Sequence, residues 1–190
     1  MSGEIPHGNI TAVGPMTRGD LLMMLYWYVD TKVVPEVRGI RGLSRLTRLA
    51  VILGRETGLD REIQPYFTFH PTTEGGIASE GVWDEFLALR AYQVVTPLPA
   101  EEPMPPQELG ERRFLLQNHI PPHEHKKYPL PKELERDTLT SKGTFFAAKR
   151  EDQMVERRIQ VFKTVAELEQ VPMADLTARA LSYVSVPAAR

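Results

Sequence analysis

Proline divides this chain more sharply than any other residue. Of its 16 prolines, nine fall between Pro97 and Pro131, in a stretch that contains PLPAEEPMPP and IPPHEHKKYPLP. A proline ring fixes φ and removes a backbone donor, so such a segment is expected to support neither a long helix nor a central strand. Residues 98–140 therefore read as an extended arm or linker, with one short strand at Arg113–Gln117. A pattern-rich region at residues 15–97 precedes the arm, and a helical tail at 141–186 follows it. The rest of the 190-residue chain has ordinary proportions, 42% hydrophobic and 25% charged, enough to bury a core.

The first region opens on Thr17-Arg18-Gly19-Asp20, a hydroxyl followed three residues later by an acid, as at a capped helix start. The run from Leu21 that follows is apolar nearly all round. That predicts the most buried helix of the fold, ending near Asp30 before Val33, Val34 and Pro35. A second helix is signalled at Gly42-Leu43-Ser44, with Ser44 as its cap. Leu46, Leu49, Ala50 and Leu53 share one face, and Gly54 and Gly58 mark the end. Gln64–His70, rich in aromatics and closed by Pro71, reads as a short strand. Ser79 then caps a third helix carrying Val82, Trp83, Phe86, Leu87 and Leu89, and Tyr92–Thr96 is β-prone. Helix, basic helix, strand, helix and strand in this order fit an α+β, mainly α fold: a winged helix-turn-helix-like N-terminal domain, a proline-rich arm and a C-terminal helical tail.

Residues 20–95 also resemble a family pattern. The leucine-rich first helix, Gly39-Ile40-Arg41-Gly42-Leu43-Ser44-Arg45-Leu46, the aromatic Tyr66–Phe69, the turn Gly76-Ile77-Ala78-Ser79 and Val82–Val95 are similar to the uncharacterised prokaryotic YwgA-like family. Ile77 and Ala78 stand where that family has proline and an aromatic. The resemblance implies a winged-helix-like fold and a regulatory or nucleic-acid-associated role.

Charge supplies the main functional clue. Between Val37 and Arg55 stand five arginines and no acid. Arg45 and Arg48 share a helical face away from the leucines, and Arg38 and Arg41 sit in the turn before them. Guanidinium groups bind phosphate bidentately at any physiological pH, so Arg38, Arg41, Arg45 and Arg48 are the expected contacts to a DNA or RNA backbone. A solvated helix face explains the same pattern. Residues 1–97 hold nine basic and eleven acidic side chains, and the third helix carries Glu80, Asp84 and Glu85, which phosphates repel. The competing expectation is thus a protein–protein module or accessory subunit without nucleic acid. A more remote one is a metal-binding protein using His119, His123 and His125.

No catalytic motif, cofactor or metal site is expected: GxSxG, GK[ST] loops and GxGxxG are missing, and with no cysteine there are no thiolate sites. The opening MSGEIPHGNI lacks a signal peptide's pattern, no apolar run reaches the ~18 residues of a membrane helix, and a cytoplasmic location is expected. The sequon at Asn9 carries no weight there. In the tail, Thr144 is expected to cap one helix over Phe145–Gln170. Ala148, Val155, Ile159, Phe162 and Ala166 form a heptad-like seam on it for self-association or a protein partner, the alternative being that it folds back across the N-terminal region, and a last helix covers Met173–Val184.

Overall fold

The computed structural model describes residues 14–33, 38–99 and 102–184. The opening decapeptide with its sequon, Val34 and Pro35, and residues 185–186 of the tail lie outside the described residues.

Helix α1 (Arg18–Lys32) starts on a complete capping box. Thr17 Oγ1 accepts the Asp20 amide at 3.1 Å, and Asp20 Oδ2 accepts the Thr17 amide at 2.8 Å. Leu21, Leu22, Met24, Leu25 and Val29 are all buried, as a helix apolar on every side requires. It runs two residues past the expected end at Asp30. Strand β1 (Ile40–Arg41) leads directly into α2 (Gly42–Thr57), which Gly58 closes in the left-handed conformation at φ +76°, as expected. A single-turn helix α3 (Leu59–Glu62) follows.

The aromatic stretch forms less strand than its composition predicts. Only β2 (His70–Pro71) pairs, with β3 (Ile77–Ala78), while Tyr66, Phe67 and Phe69 cluster against one another at 5.3–6.2 Å. Ser79 caps α4 (Glu80–Ala91) by accepting the Val82 amide at 3.3 Å, and β4 (Val95–Leu98) comes next.

The proline-rich segment is not an extended arm. It forms α5 (Pro106–Asn118), so the strand expected at Arg113–Gln117 is helical. Pro105 and Pro106 occupy the cap and first helical position, where no amide is needed, and the next proline is Pro121. A 3₁₀ turn at Pro122–Lys127 leads to β5 (Arg136–Leu139). This strand is the middle of the main sheet, antiparallel to both neighbours in the order β1-β5-β4. Ile40 lies opposite Asp137, and Val95 opposite Leu139.

The tail also departs from expectation. One helix over Phe145–Gln170 is replaced by α6 (Ser141–Glu151) and α7 (Glu156–Glu167), followed by a 3₁₀ turn at Leu168–Gln170 and α8 (Met173–Leu181). Thr140, not Thr144, caps α6 through the Gly143 amide at 3.1 Å. The break falls at Asp152–Val155, and it lets both α6 and α7 lie against α1. Tyr28 of α1 stacks on Phe162 of α7 at 5.4 Å, and Trp27 Nε1 donates to Glu151 at 2.9 Å. Phe162, Val165, Ala166, Leu176 and Ala180 are buried with Leu21–Val29 and with Leu115 of α5 in one core. The described parts of the segments 15–97, 98–140 and 141–186 therefore share an interior, and the tail takes its alternative course, folded back across the N-terminal region. Among the described residues, no helix is long and apolar enough to cross a membrane.

Candidate functional site

The arginines expected to form an outward stripe divide into two pairs. Arg48 is fully buried. Its Nη2 meets Glu111 Oε1 at 2.5 Å, its Nη1 donates to the Ser44 carbonyl at 2.7 Å, and its Nε donates to Thr177 Oγ1 at 2.6 Å. Arg45 is buried beneath the tail, where both terminal nitrogens donate to the Val171 carbonyl at 3.0 Å and Nε lies 3.6 Å from Glu169 Oε1. Phosphates cannot reach either group, which corrects the assignment of Arg45 and Arg48 to a nucleic-acid surface. Arg38 and Arg41 do face outward, and Arg41 Nη2 lies 3.2 Å from Glu102. The reason is physical: a guanidinium enters an interior only with carboxylates or carbonyls to meet it. Those partners come from α5, the Leu168–Gln170 turn and α8, far along the chain.

Two glutamates of α5 organise this interior. Glu108 accepts the Leu43 amide at 3.0 Å and the Ser44 amide at 2.7 Å, so the unpaired donors at the start of α2 are met by a distant carboxylate rather than by Ser44 as a local cap. Glu111 binds Arg48 and Ser44 Oγ, and it accepts the Ile77 amide at 3.2 Å. The backbone makes room at two glycines. A Cβ on Gly42, at φ +73°, would lie 2.8 Å from Glu108 Oε2, and one on Gly76 would overlap Glu111 Oε1. Arg112 continues the network, from Glu108 to Glu135 at 2.9 Å each. Arg90 of α4 closes it, holding Asp137 with two nitrogens at 2.7 Å and Glu135 with a third at 2.5 Å. Burial raises the Asp137 pKa above the ordinary aspartate value, an effect the Arg90 guanidinium only partly offsets.

An open groove of about 430 Å³ runs between α1, α4 and α6. Asp20 and Glu85 stand on its α1 and α4 walls, Lys149 and Phe146 on α6, and Tyr92 at its end. Tyr92 is 70% exposed, Phe145 55% and Phe146 45%, the exposed Tyr and Phe side chains among the described residues. Lys149 Nζ covers the Phe145 ring at 4.4 Å.

His119, His123 and His125 do not converge. His123 is an exposed side chain beside Glu124, and His125 Nε2 lies 2.9 Å from the Ile120 carbonyl oxygen. His119 instead stacks on His70, with centroids 3.7 Å apart, and His70 Nε2 is 2.9 Å from Glu80 Oε2. Partial burial, and then the neighbouring His70, hold the His119 pKa below the usual imidazole value. Sequence reasoning placed His70 at the end of a short strand and missed this cluster. The available signal was the turn between β2 and β3, which returns His70 to the start of α4.

Compared with protein-family models, curated proteins and solved structures, the chain matches none.

Proposed function

We propose that the chain is a cytoplasmic, winged-helix-like regulatory or adaptor protein that works by protein contact, and that its aromatic face binds a second copy of itself. The winged-helix reading draws on the strand order. A winged helix is a small helical unit whose strand between the first two helices pairs with the last strand of the wing, which also pairs with the strand after the third helix. The order β1-β5-β4, with β1 between α1 and α2 and β4 after α4, has that form. In this reading α4 is the helix that would enter a DNA groove. Its exposed side holds Asp84, whose carboxylate receives the Tyr128 hydroxyl, and Tyr128 packs edge-on over Trp83 at 5.0 Å. An acidic helix covered by the proline-rich insertion is ill suited to phosphate.

The observation that carries the protein-contact reading is the exposure of Tyr92 and Phe146 at one open groove, with Phe145 exposed beside Phe146 at 5.8 Å. Exposed aromatics gathered at one place are what interfaces bury. The groove's acids are met within the chain, Asp20 by Arg150 and Glu85 by Arg18, which leaves Lys149 beside the aromatics. A two-fold pairing buries this aromatic patch against the same patch of the other copy, the arrangement of an isologous dimer. Phe145 and Phe146 lie at the start of the Phe145–Gln170 segment expected to associate. Light scattering on the full chain tests this: a dimer is expected, with Phe146→Glu shifting the mass to the monomer while far-ultraviolet circular dichroism stays unchanged. A monomer at all concentrations in the unmodified protein contradicts it.

One observation favours a second reading, backbone contact to DNA or RNA at the sheet edge. Arg41 lies directly opposite Arg136 across β1 and β5, and Arg136 Nη1 donates to the Arg38 carbonyl at 3.3 Å. Like charges opposed across strands are unfavourable unless an anion meets them, and the exposed Glu102, 3.2 Å from Arg41, is the anion that a phosphate would replace. Binding of a random duplex that weakens steeply with salt, and that Arg38→Ala with Arg41→Ala removes, is the expected mark of this reading; unchanged affinity in that double variant rejects it.

A further inference from the structure

Three side chains from separate parts of the chain meet at the start of α4. His70 ends the aromatic stretch in β2, Glu80 is the first residue of α4, and His119 caps the C-terminus of α5. One ring nitrogen from each histidine and one Glu80 carboxylate oxygen all lie within 4.8 Å of one another. We propose that His70, Glu80 and His119 form a binding site for a divalent transition metal of the zinc type.

The ligand chemistry selects the metal class. Two imidazoles and one carboxylate suit a borderline cation such as Zn²⁺, whereas Mg²⁺ and Ca²⁺ take oxygen ligands. The spacing is close to what such an ion needs. Zinc lies about 2.0–2.2 Å from nitrogen and oxygen ligands, which sets neighbouring ligand atoms about 3.3–3.5 Å apart. The His70–Glu80 edge is already tighter, at 2.9 Å, and no separation in the group exceeds 4.8 Å, so closing onto an ion of that size takes at most about 1.3 Å. His119 can supply this movement, since its side chain is exposed at a helix end; His70 and Glu80 are more enclosed, at 21% and 35% exposure. Three protein ligands leave a coordination position for water. A bound ion would fasten the end of α5 to the start of α4, locking the insertion over the helix it covers. The site does not depend on the aromatic groove, which lies toward the other end of α4.

Equilibrium dialysis of the tag-free full chain against Zn²⁺, with metal analysis, tests the proposal. The expected result is one zinc per chain, at least tenfold weaker binding in His119→Ala, and unchanged binding in a His123→Ala, His125→Ala double variant. The thermal midpoint of the unmodified protein should rise with zinc while that of His119→Ala stays fixed, and millimolar Mg²⁺ should not displace the ion. No zinc above background, or equal zinc affinity in His119→Ala, would overturn it and leave His70–Glu80 as a hydrogen-bonded pair with a stacked neighbour.

Discussion

Arg48 decides how α2 is understood. A guanidinium at 0% exposure, bound to Glu111, Ser44 and Thr177, belongs to the interior. Arg48→Met removes one partner of a buried pair and strands Glu111, so a loss of about 3–5 kcal/mol in denaturant unfolding is expected. Arg38→Met, at an exposed position, is expected to change stability by less than about 0.5 kcal/mol. Equal, small effects in both variants would contradict the burial. Glu169 carries a pH signature. Its carboxyl is pushed up to about 7 chiefly by burial, with Arg45 offsetting part, and its Oε2 has no hydrogen-bond partner among the described residues. The folded chain keeps this proton up to about pH 7, whereas the unfolded chain releases it near the ordinary value of 4.5. The stability it contributes is therefore fully present below about pH 4.5 and lost as pH rises to about 7. Glu169→Gln, which resembles the protonated form, should flatten that decline in unfolding midpoints compared at pH 5 and pH 8. Parallel pH profiles would show that Glu169 is not the group responsible.

Among the elements, those whose signals are local were legible. The Thr17 and Ser79 caps, the left-handed Gly58 and the all-round apolar Leu21–Val29 run each specify structure through neighbours within four residues, and each appears as read. The cap of α2 did not, because its acceptor, Glu108, is about 65 residues away. Gly42→Ala tests that arrangement: the added Cβ meets Glu108 Oε2 and requires a positive φ. A loss of more than about 1 kcal/mol is expected in chemical denaturation, and a neutral or stabilising change would contradict it. Helix α5 was hidden by counting prolines rather than spacing them. Pro106 and Pro121 enclose an uninterrupted stretch, and a proline at the first helical turn begins a helix rather than preventing one. The tail helix was overextended because apolar spacing alone does not reveal a turn at Asp152–Val155.

For the whole molecule, the division at the prolines failed because β5 and α7 complete a structure begun by α1 and α2. Strand β5 lies between β1 and β4, and the partners of Arg45 and Arg48 arrive from α5 and the tail. Truncation at Pro131 removes the middle strand and the cover of α1, so the shortened chain is expected to lose its cooperative thermal transition. A sharp transition in that fragment would restore an independent N-terminal domain. None of the candidate contacts among elements far apart in sequence, His70 with His119 included, can be seen in a local pattern. The central claim is that the arginine-rich helix faces inward, and modification of the native protein by an arginine-selective dicarbonyl reagent, mapped by mass spectrometry, tests it most directly. Arg38 and Arg41 should react while Arg45 and Arg48 stay protected until denaturant unfolds the chain; native-state modification of Arg48 at the rate of Arg38 would contradict the account.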